Sequence, residues 1–259
     1  MILTVLGCDG SYPGPGGAGS GYLVECGPDV LWVDTGPGTL GALQTHRSLS
    51  DLTAVVITHE HPDHRSDIDG LAVAIRFGPF ADHERIPVFA PAGVRESCYF
   101  AEWDVFDWRT VAGGDSRGLG QVRLSFSRTD HGPETLAVRL DGDGACIGYS
   151  ADSGPGWSLA ALGPDIDLAV CEATWPAEHE GNGGHMSGRQ AGASAREAEV
   201  GELLLTHRAP WAPPDVVAAE AAAAFGRQVH QAMPGARYRV AERRAVPLTS
   251  PFESPAGRR

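Results

Sequence analysis

One short segment, Thr58-His59-Glu60-His61-Pro62-Asp63-His64, constrains this chain more than any other. It follows Ala54 to Thr58, a β-branched run that reads as a strand, so His59 stands where a strand gives way to a loop. Two imidazoles one residue apart turn toward a single ion when the chain is extended. Asp63 and His64 reach a second ion if the loop then curls. The partners such a site needs recur with the same local grammar. Thr129-Asp130-His131 follows the run through Phe126, Asp152 follows the strand through Cys146 and Tyr149, and Thr206-His207 follows a purely apolar run. Together they supply seven ligands, with Asp152 suited to bridge two ions. Strand ends carrying chemistry are the usual address of a site in layered α/β proteins.

The rest of the chain reads as alternating strands and helices without tandem repeats or long linkers. Strands are expected at Ile2 to Gly7, Tyr22 to Cys26, Val30 to Val33, Pro87 to Ala90, Val122 to Ser127, Thr135 to Leu140, Ala145 to Tyr149, Leu168 to Cys171 and Leu203 to Thr206. Helices are expected at Thr39 to Arg47, Ile68 to Phe77, Gly93 to Ala101, Ser187 to Ala198 and the Ala-rich Pro213 to Phe225. Strand-rich stretches in both halves imply two packed sheets with helices outside, an α/β (α+β) four-layer αββα sandwich. One domain is expected over 1–246, with a frayed tail over 247–259 rich in Pro, Ser and Arg.

Composition removes several classes of function. The 259 residues carry a formal net charge of −13, which repels phosphate backbones and anionic lipid, so a nucleic-acid or membrane-surface role is disfavoured. No stretch approaches 18 uninterrupted apolar residues, so no membrane-spanning helix is expected. The opening Met-Ile-Leu-Thr-Val-Leu-Gly reads as a strand rather than a secretory signal, and the five scattered cysteines as reduced thiols. A cytoplasmic protein is expected.

The His-x-His-x-Asp-His run followed by His131, Asp152 and His207 resembles the metallo-β-lactamase superfamily. That resemblance implies the αββα fold, two divalent metal ions, and a ligand set. His59, His61 and His131 would hold the first ion, Asp63, His64 and His207 the second, and Asp152 would lie between them. The nitrogen and oxygen donors suit Zn²⁺, with Mn²⁺ the alternative. Cys171-Glu172-Ala173-Thr174 followed by Gly184-His185-Met186-Ser187-Gly188 is similar to the ribonuclease Z branch, in which the counterparts of Glu172 and His185 form a dyad near the leaving group. The dyad implies a catalytic His185 that donates a proton, oriented by Glu172, with Asp63 accepting one from the attacking water. Enzymes of that branch that process transfer RNA carry a long basic arm between the counterparts of His131 and Asp152, where this chain has only 21 positions. It therefore resembles the armless actinobacterial relatives, some of which hydrolyse cyclic nucleotides such as 3′,5′-cAMP. A small anionic phosphodiester is the expected substrate. Transfer-RNA processing and hydrolysis of a carbonyl ester or lactone are the alternatives, and a homodimer is compatible.

Other residues invite two readings each. Asp34 either orients a ligating imidazole or caps a turn, and Asp67 does likewise or caps its own helix. Ser20 sits in a glycine loop that could approach phosphate. Tyr99, Phe100, Trp103, Phe106 and Trp108 form either core, a dimer interface or a nucleobase pocket, and the Arg237 to Arg244 cluster is the one candidate for contacting RNA.

Overall fold

The structure is a computed structural model that describes residues 1–79, 84–241 and 244–248. Its first sheet opens with three antiparallel strands, β1 (Ile2–Gly7), β2 (Gly21–Cys26) and β3 (Asp29–Val33). It continues in parallel through β4 (Ala54–Val56), β5 (Ile86–Ala90) and β6 (Phe106–Thr110). The second sheet repeats this plan. β7 (Ser116–Leu119), β8 (Val122–Arg128), β9 (Leu136–Gly142) and β10 (Ala145–Tyr149) are antiparallel, and β11 (Leu168–Glu172), β12 (Glu202–Thr206) and β13 (His230–Gln231) add in parallel. The chain then returns to the first sheet, where β14 (Arg237–Ala241) pairs with β1 and with β15 (Arg244–Leu248). Pro247 and Leu248 thus belong to a strand rather than to the expected frayed tail, and 249–259 lies outside the described residues.

Alternation of side chains across the strands builds the layers. Leu31 and Val33 of β3 face the second sheet, meeting Val138, Ile147 and Val170 in a core between the sheets. Val30 and Trp32 point the other way, onto α1 (Thr39–Leu43) and α3 (Asp67–Phe77) through Leu43, Ile68, Leu71 and Ile75. On the far side Ala169, Leu203 and Leu205 pack against α5 (Gly188–Glu197) and α6 (Pro214–Phe225). This is the expected αββα sandwich. Between these helices lie the one-turn α2 (Pro62–Arg65) and α4 (Val94–Ser97). Two helices are shorter than expected. The first ends at Leu43, and the segment read as helix to Ala101 stops at Ser97, because the Phe100 N–H is drawn to Asp69 Oδ1 (2.8 Å) instead.

The loops that leave β3, β4, β8, β10, β11 and β12 carry the residues singled out above. Among the described residues no helix is long and apolar enough to cross a membrane, and the five cysteines are unpaired.

Candidate metal centre

All seven expected ligands converge. His59, His61, His131 and Asp152 form one group and Asp63, His64, His207 and Asp152 another, with the ligand atoms of each group within 4.8 Å of one another. Asp152 faces both. Its Oδ1 lies 3.0 Å from His64 Nε2 and 3.3 Å from His207 Nε2, and its Oδ2 lies 3.6 Å from His59 Nε2 and 3.8 Å from His131 Nε2. The curl expected after His61 is α2, opened by Pro62 at its first position and carrying Asp63 and His64. Gly36 makes room for it, since a Cβ there would stand 2.1 Å from the Asp63 carbonyl oxygen.

Four of the five imidazoles are held at Nδ1. His64 Nδ1 is 2.7 Å from Asp34 Oδ2. His59 Nδ1 is 3.1 Å from Thr58 Oγ1, which itself donates to Asp34 Oδ2 at 2.9 Å. His131 Nδ1 donates to the Gly184 carbonyl at 3.0 Å, and His207 Nδ1 to Thr174 Oγ1 at 3.1 Å. Thr174 in turn donates to Glu172 Oε2 at 2.7 Å. A proton fixed on Nδ1 leaves the Nε2 lone pair facing inward, the tautomer a cation requires. The same device is thus built twice. Asp34 from the first sheet and Glu172 from the second each hold one imidazole directly and another through a threonine hydroxyl.

Buried atoms test whether cations fit. His59 Nε2, His64 Nε2 and Asp152 Oδ1 are inaccessible and have no hydrogen-bond partner among the described residues. Orphaned acceptors of this kind are costly in a protein interior unless something positive completes them. Burial, reinforced by His64, pushes His59 well below the usual imidazole range, keeping it neutral. Burial also opposes charge on His64, yet Asp152 and Asp34 outweigh it and pull that ring well above the usual range. The position favours positive charge. The donor set therefore fits a pair of divalent cations sharing Asp152. Backbone strain gathers here as well, with φ of 64° at Ser11, 56° at Asp34, 51° at Ala151 and 52° at His207.

Glu172 and His185 are brought together beside this cluster. The buried carboxylate accepts from His185 Nδ1 (3.2 Å), Ser153 N (2.5 Å), Met186 N (3.1 Å) and Thr174. His185 stacks on His207 at 5.3 Å and its Nδ1 is 3.9 Å from Asp152 Oδ2. Burial works against a charged His185, but Glu172 overcomes it and lifts the ring to about 9.

Asp34 orients imidazoles and caps nothing. Asp67 instead accepts from Leu40 N at 2.8 Å, capping α1 rather than its own helix. Ser20 is fully buried behind Asp63, its N–H on the Asp63 carbonyl at 3.0 Å, and does not line an opening. The run from Tyr99 to Trp108 packs on the α3 side, where Phe100, Trp103, Phe106 and Trp108 join the outer core, and none of its ring contacts reaches the histidines. Arg237 is spent on Glu25 at 3.3 Å, and Arg243 lies outside the described residues. No functional role was legible in advance for Thr58, Thr174, Tyr149 or Ser11. The threonines border the motifs, a signal that was there to use. Tyr149, whose hydroxyl donates to Asp34 Oδ2 at 2.8 Å, and Ser11, whose N–H donates to Asp63 Oδ2 at 2.9 Å, arrive from distant segments with no local mark.

Comparison with known proteins agrees with this geometry. Residues 23–208 match the β-lactamase superfamily domain. An uncharacterized protein of Mycobacterium leprae is 36% identical over 247 residues, 90% of this chain and 86% of that one. The probable metallo-hydrolase YhfI of Bacillus subtilis is 31% identical over 91% of this chain and 98% of its own. The YhfI crystal structure superposes with a TM-score of 0.86, at 30% identity, covering 91% of this chain and 98% of that one. Ribonuclease Z of Mycobacterium bovis is 27% identical over 81% of this chain and 86% of its own. With a β-lactamase-type domain over most of its length and ribonuclease Z among its relatives, the chain belongs to the metallo-β-lactamase superfamily, in the ribonuclease Z-like branch.

Proposed function

We propose that this metallo-hydrolase is a phosphodiesterase acting on small anionic phosphodiesters, of which a 3′,5′-cyclic nucleotide such as cAMP is the first to test. The observation that carries this is the buried Glu172 holding His185 beside the carboxylate shared by both ligand groups. A leaving alkoxide needs a proton, and the pair supplies one. His59, His61 and His131 would hold one cation, Asp63, His64 and His207 the other, and Asp152 both. Bound there, the two cations neutralise the phosphate and acidify a water molecule. With Nδ1 committed to Glu172, His185 Nε2 is the atom that gives its proton to the leaving oxygen as the P–O bond breaks. Asp63 is the group we assign to the attacking water's proton. Burial would raise its carboxyl, but the imidazoles of His207 and His64 beside it outweigh burial and hold it well below the usual range and therefore ionised.

Two features favour a small substrate over RNA. The segment between His131 and Asp152 is taken up by the β9–β10 hairpin, and the net charge of −13 opposes a polyanion at long range. The unpaired thiols support a reducing, cytoplasmic setting. The test is turnover by Zn²⁺- or Mn²⁺-loaded protein of 3′,5′-cAMP and of a 3′-extended transfer-RNA precursor, with His61→Ala as blank. Hydrolysis of cAMP alone is expected. Cleavage of RNA alone would overturn the substrate class, and cleavage of neither would direct attention to carbonyl esters.

A further inference from the structure

Aromatic side chains stand along the His185–His207 side of the cluster, away from the aromatic run that packs on α3. Trp175 sets its ring edge-on to His185 at 5.5 Å. Its indole N–H is buried and finds no acceptor among the described residues. Trp211, four residues after His207, is 53% exposed and meets the ring of His179 edge-on at 5.0 Å. Main-chain pairing keeps these segments beside the site, since Ala209 N donates to the Thr174 carbonyl at 2.9 Å. Tyr12, also 53% exposed, follows Ser11, whose N–H reaches Asp63. Its loop runs along the same wall, for a Cβ on Gly14 would stand 3.1 Å from Pro210 Cβ.

This wall holds apolar rings rather than free charge. Arg208 is spent on the carbonyls of Ala209 and Ala212, and Arg189 on Glu180. An exposed Trp211 and a half-buried Trp175 beside a cluster of buried polar groups mark a ligand subsite. Ring faces take up planar heterocycles by stacking, with little dependence on sequence or charge. His185 is the proton donor assigned to the leaving oxygen, so whatever that oxygen carries lies on the Trp175 side. We propose that Trp175 and Trp211, with Tyr12 at the edge, form the subsite for the nucleobase of a mononucleotide substrate. The proposal rests on the phosphodiesterase reading and supplies what that reading lacks, a means of telling a nucleotide from any other small phosphodiester.

The test compares 3′,5′-cAMP with methyl riboside 3′,5′-cyclic phosphate, the same cyclic ester without its base. The ratio of kcat/KM for the two is expected to fall about tenfold in Trp211→Leu and in Trp175→Leu, and to be restored in Trp211→Phe, which keeps a ring face. Because Trp175 is half-buried, Trp211 keeps the test decisive if Trp175→Leu misfolds. Independently, 5′-AMP is expected to quench the indole emission of the metal-loaded protein, and much less in Trp211→Leu. If both esters are hydrolysed with a ratio that no variant moves, and AMP quenches nothing, the subsite is overturned while the phosphodiesterase reading stands. If neither ester is hydrolysed but quenching occurs and depends on Trp211, that reading falls and the base subsite survives. Absence of both signals overturns both.

Discussion

A threonine hydroxyl has one proton to give and lone pairs with which to accept, and Thr174 uses both between Glu172 and His207. Thr174→Val keeps the shape and removes both bonds, so His207 loses its tautomer lock. Metal affinity is expected to fall roughly 10- to 100-fold, measured by competition with a chromogenic chelator, and Thr174→Ser should recover most of it. His185→Ala leaves the two ligand groups untouched. Turnover is expected to fall by about 10²–10⁴-fold with metal content by elemental analysis unchanged; normal turnover would end the proton-donor assignment. Glu172→Gln removes the negative partner that keeps His185 protonated. The pKa of the ring falls, the acid form is lost at lower pH, and the basic limb of the kcat–pH profile should move downward. The ligands themselves were legible because four sit in one short segment and the others repeat its strand-end setting. The two relays were legible only in part, Asp34 and Glu172 as candidate orienters but not their threonine partners, because Asp34 meets Thr58 only when β3 and β4 lie side by side, and Glu172 meets His207 only when β11 and β12 do.

The helix pair α5–α6 owes its close approach to missing side chains. A Cβ on Gly188 or Gly192 would lie 2.2 Å from the carbonyl oxygens of Val217 and Ala221 respectively. Gly192→Ala should therefore push α6 away and cost about 1–3 kcal/mol, read as a lower urea midpoint with an unchanged slope. Glu172 ends and His207 follows the strands those helices cover, so a loss of activity greater than the loss of fold would show that the strain reaches the site. Elements with apolar runs or cap residues were readable in advance, Ser187 and Gln190 closing a capping box on α5 among them. Five strands escaped notice, β6 and β15 among them, and in the other three the signal is thin. β13 has two residues, β7 is Ser-Arg-Gly-Leu and half exposed, and β14 hides the inward pair Tyr238 and Val240 between arginines that read as a charge cluster.

Across the molecule, the first sheet brings His59, His61, Asp63 and His64 and the second brings His131, Asp152 and His207, so neither sheet holds a complete site. Cations bound between them stabilise only the docked state. At one hundred times the dissociation constant the gain is about 2.7 kcal/mol, or a rise in Tm on the order of 5–10 °C. Calorimetry of chelator-treated protein titrated with Zn²⁺ checks this, and a Tm indifferent to metal would mean the cluster is not a cation site. The same arrangement governs the order in which the chain can be completed. β1 is the centre of an edge-to-edge seam, with Thr4 opposite Leu23 on one side and opposite Arg237 on the other. On the ribosome its second flank therefore stays open for more than two hundred residues of synthesis, a bare strand edge able to capture a neighbouring chain. For this protein, the hazard of misassembly falls on the nascent polypeptide, and it ends only when the returning strand is delivered.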